Sequence, residues 1–294
     1  MRYSDWIQKL HVRSWSEGRF ERYLNNTLVH FKGTRDVLVV GFNSQFDLKK
    51  DNAVFIPWGS GYAMERDYSF LGFATHMPNW YRDGWAADKI RELADQGFFK
   101  DYRRIIVAGH SMGGHAALVH APLIPGSHVA AFSPQSTMNR DVAPFDDRFG
   151  RSHRLDWADP GSDAAQVVAQ IPRVNLFLDP TNPEDAQHAA RITGDTVRKF
   201  HTFHAGHSSF LLLNRMGVAH QIMDSLVEDT LTASEFYAAY RNRRYLDWFR
   251  NALLKHFEKD DRETVVERIK AVHKKFLDDA GDDNPSDRTA PDTL

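Results

Sequence analysis

The residues best suited to chemistry are Gly109-His110-Ser111-Met112-Gly113-Gly114, directly after the apolar run Arg104-Ile105-Ile106-Val107-Ala108. This is a Gly-x-Ser-x-Gly spacing between an expected strand and an expected small-residue helix (Gly113, Gly114, Ala116, Ala117, Leu118). In that setting the chain turns sharply and lifts a serine hydroxyl above the sheet edge. Small flanking residues tolerate the strain. The same turn aims the Met112 backbone N–H, near a helix N-terminus, at a developing oxyanion. The chemistry this spacing points to is attack by the Ser111 hydroxyl on a carbonyl carbon.

A serine hydroxyl is a poor nucleophile until a base takes its proton. Of 15 histidines, His207 is the best placed. It sits in Ala205-Gly206-His207-Ser208-Ser209, after the final expected strand and before a helix. Gly206 permits the sharp exit that swings an imidazole over the strand ends. His204 and His201 are the runners-up. His110 occupies the variable position of the serine turn, and His115 and His120 fall on the following helix, where packing or a surface position explains them.

The base needs an acid to fix its tautomer and stabilise the imidazolium. Asp179 closes the expected strand Val174–Leu178 at the right sheet edge and is the favoured acid. Asp185 is the rival, although its place in Asn182-Pro183-Glu184-Asp185 is already explained as a helix opening. The expected order is Ser111, Asp179, His207. A second oxyanion donor beside the Met112 N–H is expected from Phe42 or Asn43, in the exit of Asp36–Gly41.

The elements that must hold these groups alternate along the chain. Expected strands are Thr27–Lys32, Asp36–Gly41, Ala53–Pro57, Arg104–Ala108, His128–Phe132, Val174–Leu178 and Thr196–Phe203. Expected helices are Gly84–Phe98, Gly113–His120, Ala164–Gln170, one opening at Asn182, and Ser208–Val227. Short continuous apolar runs suit strands buried on both faces. Their alternation with helices predicts an α/β fold with a doubly wound, mostly parallel sheet, whose ligands lie beyond the carboxyl ends of the strands. Ser111 falls at such an end.

The expected organisation is a domain over 1–227, a helical extension over 228–277 and a disordered tail over 278–294, with 1–26 as a short lead-in. Residues 135–173 exceed a simple crossover and are a candidate small lid. The extension, Phe236–His256 and Arg262–Leu277, is charged and amphipathic. It is a candidate surface for a protein partner or self-association.

Composition limits the classes. At 294 residues, 42% hydrophobic and 12% aromatic, the chain can bury a sizeable core. A net charge of -2 gives no reason to expect nucleic acid as a partner. The absence of cysteine excludes disulfides, thiolate metal sites and a cysteine nucleophile. No apolar run is long enough for a membrane span, and no leader pattern is visible, so a cytoplasmic location is expected. Walker and dinucleotide glycine motifs are absent.

This pattern resembles the α/β-hydrolase superfamily over about residues 27–227. Gly109, Ser111 and Gly113 match the serine turn residue by residue; Asp179 and His207 match by position and order. The resemblance implies a serine esterase or thioesterase that works through an acyl-enzyme and needs no cofactor. Gly41-Phe42-Asn43 departs from the common His-Gly oxyanion loop, and the acid loop is shorter than usual, which keeps Asp185 in play. Ser133-Pro134-Gln135 and Asn79-Trp80-Tyr81 resemble segments of bacterial hydrolase-like proteins linked to surface polysaccharide.

The expected substrate is a small-molecule, carbohydrate or acyl ester. Trp58, His76, Trp80, Tyr81 and Trp85 are candidates for a cluster near the site mouth that stacks on sugar or acyl groups, with core packing the plainer reading. Arg148, Arg151 and Arg154 are candidates for attracting an anionic substrate, with a solvated charge run the plainer reading. Acyl transfer on the same triad and a non-catalytic binding protein that keeps the fold are the alternatives. A metal hydrolase built on His201, His204 and His207 is disfavoured, because residues three apart on an extended chain face opposite ways.

Overall fold

The computed structural model describes residues 18–45, 57–258 and 262–280. Eight strands form one sheet: β1 Gly18–Tyr23, β2 Asn26–Phe31, β3 Arg35–Phe42, β4 Tyr68–Thr75, β5 Arg104–His110, β6 His128–Phe132, β7 Arg173–Leu178 and β8 Val197–His201. Their order is β1-β2-β4-β3-β5-β6-β7-β8. β2 is antiparallel to both neighbours, and every pairing from β4 to β8 is parallel. This is the α/β-hydrolase fold.

The α-helices are α1 Ser60–Glu65, α2 Trp85–Asp95, α3 Met112–His120, α4 Ala164–Val167, α5 Pro183–Arg191, α6 Ser209–Arg215, α7 Ala219–Val227, α8 Ala233–Tyr240, α9 Asp247–Glu258 and α10 Glu263–Ala280.

Strand alternation divides the core into two layers. Val37, Val39, Ile106 and Ala108 point into a layer shared with α1, α6, α7 and α8. Leu38, Val40, Ile105 and Val107 point into the opposite layer, shared with α2, α3, α4 and α5. Phe132, Phe177 and Phe200 stack across the first layer with ring centroids 4.6 and 4.9 Å apart, and Phe236 packs tilted against Phe200 at 5.0 Å. Phe236 and Tyr240 are buried, so residues beyond 227 contribute to this core. Farther on, α10 is fastened by His273, which hydrogen-bonds the Arg244 carbonyl at 3.0 Å and Asp247 at 3.1 Å.

Several boundaries differ from expectation. Residues 18–23, expected in the lead-in, form edge strand β1. The expected strand Ala53–Pro57 lies almost wholly outside the described residues, and the strand entering the sheet here is β4. Every residue of β4 is buried, but its Gly72 and mixed polarity blur the apolar run. The expected helix 208–227 is two helices, broken where Gly217 adopts φ 70°. The 236–256 segment is interrupted by a 3-10 turn over Arg241–Tyr245. Of the expected tail, 278–280 belong to α10 and the rest lies outside the described residues.

Candidate active site

Ser111 connects β5 to α3 with φ 54° and ψ -120°, a conformation L-residues rarely hold. Two hydrogen bonds pin it: its N–H donates to the Phe132 carbonyl at 2.9 Å, and its carbonyl accepts from the His115 N–H at 2.9 Å. The flanking glycines are required by contact. A Cβ on Gly113 would lie 2.2 Å from the Phe42 carbonyl oxygen, and one on Gly109 would lie 2.4 Å from the Gly113 backbone. The turn can therefore close only where both side chains are missing. As the first residue of α3, Met112 has an N–H with no acceptor inside the helix.

The Ser111 Oγ lies 2.8 Å from His207 Nε2, although the two residues are 96 positions apart. His207 Nδ1 lies 2.9 Å from both carboxylate oxygens of Asp185. With Nδ1–H donating to a carboxylate, Nε2 is left to accept the serine proton. The backbone of His207 is set by two further groups. Gly206 adopts φ 58°, and the His110 Nε2–H donates to the His207 carbonyl at 2.8 Å. Burial, with His207 beside it, lowers the His110 pKa to about 4, so that ring is neutral.

The geometry corrects the expected acid. Asp179 is buried at the end of β7, but its carboxylate accepts from Thr181 N–H at 2.8 Å, the Thr181 hydroxyl at 2.7 Å and Gly206 N–H at 2.8 Å. It ties the turn before His207 in place and does not reach the imidazole. Asp185 does so from the first turn of α5. That helix opens at Asn182, whose side chain accepts from the Asp185 N–H at 3.0 Å, with Pro183 at its first position. Capping and facing His207 coexist because the cap uses Asp185's backbone, leaving its carboxylate free.

Asp185 is 1% exposed, and burial alone would raise its pKa. The His207 hydrogen bond and the Arg148 charge outweigh burial and hold the carboxyl below its ordinary value. Arg148 donates from Nη1 to Asp185 Oδ1 at 2.8 Å, from Nε to Asp146 Oδ1 at 2.9 Å and from Nη2 to Asp146 Oδ2 at 2.7 Å. This arginine, read from sequence as an anion lure or a solvated charge, is paired with two carboxylates.

The oxyanion loop is also corrected in part. The Asn43 N–H donates to the Phe73 carbonyl at 3.2 Å and is committed to the sheet edge. Phe42 is a β3 residue, paired with Phe73 on one side and Gly109 on the other. The expected aromatic cluster divides between the layers. Trp58 packs on Phe210, with centroids 4.8 Å apart, whereas Trp80 packs on Phe149, His115 and Trp157 in the other layer. Tyr81 donates its hydroxyl to the Asn43 and Phe73 carbonyls at 3.1 Å. His76 lies 3.4 Å from Thr27, and Trp85 packs on Phe73. The histidine triplet separates too: His204 stacks among Phe249, His256 and Phe257, away from the His207 pairing. Among the described residues no helix is long and apolar enough to cross a membrane.

The chain is similar to several known proteins. The family model described as "Putative esterase" matches residues 48–209, a span that contains Ser111, Asp185 and His207. The S-formylglutathione hydrolase of Rattus norvegicus is 34% identical over 85 residues, which are 28% of this chain and 24% of that protein. The chain thus matches about a quarter of that relative's length. Among solved structures, the capsule O-acetyltransferase of Neisseria meningitidis serogroup A aligns at 12% identity over 71% of this chain and 94% of that one, with a TM-score of 0.47. The esterase Pf2001 of Pyrococcus furiosus aligns at 14% identity over 70% and 87%, with a TM-score of 0.46. The family match covers more than half of the 294 residues, and the chain belongs to the family described as "Putative esterase".

Proposed function

We propose that the protein is a serine hydrolase that cleaves a carboxylic ester or thioester through an acyl-enzyme, with Ser111, His207 and Asp185 as its triad. The observation that carries this reading is the continuous hydrogen-bonded path from Ser111 Oγ through His207 to Asp185, with links of 2.8 and 2.9 Å. Ser111 Oγ attacks the substrate carbonyl carbon while its proton passes to His207 Nε2. The tetrahedral oxyanion forms beside the N-terminus of α3, where the Met112 N–H donates to it. His207 returns the proton to the departing alkoxide or thiolate as that bond breaks. Water then attacks the acyl-serine carbonyl, giving its proton to His207, and the carboxylic acid leaves as Ser111 regains its proton. Asp185 orients the imidazole and offsets its transient positive charge.

Incubation with p-nitrophenyl acetate tests this reading. The expected result is nitrophenol release with acetyl trapped on the Ser111 peptide after rapid acid quench. Turnover without acylated Ser111, or no turnover across short-chain esters and thioesters, contradicts it.

A further inference from the structure

The loop between β6 and α4 supplies a group that the triad alone does not require. Arg148 side-chain exposure is 24%, and the acids it pairs with, Asp146 and Asp185, are 0% and 1% exposed. Asp146 is held in turn. The Ser136 N–H donates to His188 Nδ1 at 3.2 Å, so that nitrogen is the acceptor and Nε2 carries the proton. His188 Nε2–H then donates to Asp146 Oδ2 at 3.0 Å. Asp185 and His188 stand three residues apart on α5, on one helix face. Two points of α5 thus grip the same Asp146–Arg148 unit. The loop is docked by apolar contacts as well: Phe149 packs on Trp80 with centroids 5.6 Å apart, and Trp157 on His115 at 5.6 Å.

We propose that Arg148 is a positioning residue for the Ser111 site: its guanidinium, clamped by Asp146, fixes the Asp185 carboxylate against His207 and makes that geometry depend on the docked loop. This rests on the triad reading above. A guanidinium is planar and its donors have fixed directions, so a bidentate grip on Asp146 also fixes where Nη1 meets Asp185 Oδ1. Without it, two buried carboxylates would face each other with no cation between them, and Asp185 would turn or take up a proton. The loop also carries the charge balance. One arginine between two carboxylates leaves a negative corner, which disfavours recruitment of an anionic substrate there. Arg148 Nη1 lies 3.5 Å from His207 Nδ1. Both are donors when Nδ1–H faces Asp185, so that contact is a close positive neighbour and not a hydrogen bond.

The test compares the full chain with Arg148→Gln, Arg148→Lys, Asp185→Asn and the Arg148→Gln/Asp185→Asn double variant. Active sites are counted by the end point of fluorophosphonate labelling, and p-nitrophenyl acetate hydrolysis is expressed per labelled site. Arg148→Gln should lower kcat per labelled site about 10- to 100-fold, the scale of a misplaced catalytic group, and leave KM almost unchanged. Arg148→Lys keeps the charge but loses the two-sided grip, and its kcat per site should fall between Arg148→Gln and the unmutated chain. If Arg148 acts through Asp185, Arg148→Gln should slow the labelling of the unmutated chain about tenfold or more but cost less than about threefold in the labelling rate of Asp185→Asn, because the two changes remove one interaction. A smaller labelled fraction with unchanged kcat per site would reveal a folding role only and overturn the proposal. The same cost with and without Asp185→Asn would overturn it too. Should Arg148→Gln not fold, a kcat per site for Arg148→Lys equal to that of the unmutated chain is decisive against it. If the unmutated chain acquires no label at Ser111, the triad reading itself fails, a result distinct from these.

Discussion

The serine turn and the acid corner meet at His207, yet they are built in opposite ways. The serine turn is local: residues 109–114 join one strand to one helix, and its constraints are steric, set within the turn by the approach of Gly109 to the Gly113 backbone. The acid corner is assembled from distant pieces. Asp146 and Arg148 come from the loop after β6, Asp185 and His188 from α5, and His207 from the turn after β8. What holds it together is paired charge shielded from water. The first kind of site announces itself in a short motif. The second exists only once the chain has folded, and its parts look like ordinary surface charges until then.

The comparison can be broken most sharply at the serine. Ser111→Ala should lower kcat by about four to six orders of magnitude with an unchanged denaturation midpoint, measured by ester hydrolysis beside urea unfolding. At the acid corner, Asp185→Asn should cost about 10⁴-fold in kcat, because an amide no longer fixes the imidazole tautomer. Asp179→Asn should cost less than about tenfold, as it only loosens the turn before His207. Steady-state kinetics on the two variants ranks them directly.

The steric side is tested by two alanines. Gly113→Ala places a methyl group against the Phe42 carbonyl and should destabilise the fold by about 1–3 kcal/mol or more. Gly206 has no atom within 4 Å of an added Cβ, so Gly206→Ala carries only the left-handed backbone cost, about 1–2 kcal/mol. Urea denaturation of both should place Gly113→Ala as the larger loss.

The gentlest perturbation, which changes no residue, is a pH dependence. Burial lowers His115 to about 3 and His120 to about 4, so both stay neutral in the fold. The unfolded chain takes up protons at the ordinary histidine pKa, near 6.5, while the folded chain does not. Stability is therefore full above that value and falls as the pH drops from about 6.5 towards 4, by about 1.4 kcal/mol per pH unit for each histidine. Asp185 acts in the same direction at lower pH: its carboxyl is held below the ordinary carboxylate value, so its contribution is present above that value and is lost on acidification below it. Unfolding midpoints between pH 7.5 and 5 test the histidine part; a midpoint that rises on acidification contradicts it.

Much of this was legible before folding. The apolar runs at β3, β5, β6 and β7 and the small residues of α3 gave the sheet and the serine turn, because both obey local rules of burial and contact. His207 was legible from Gly206 and the helix that follows. Asp185 is harder to read, because the opening Asn182-Pro183-Glu184-Asp185 accounts for its backbone as part of a cap and leaves its carboxylate unassigned. The pairing of Arg148 with Asp185 spans 37 residues and leaves no periodic trace in the sequence. β4 was missed where Gly72 and Ser69 interrupt an otherwise apolar run, although every one of its residues is buried.

The central claim is that Ser111 is activated by His207 held by Asp185. Its most direct test is the rate of fluorophosphonate labelling, with the modified residue located by mass spectrometry, in the unmutated chain, Asp185→Asn and Asp179→Asn. Stoichiometric label on Ser111, slowed strongly by Asp185→Asn and little by Asp179→Asn, is the predicted result. Label on another residue, or a greater slowing by Asp179→Asn, would contradict it.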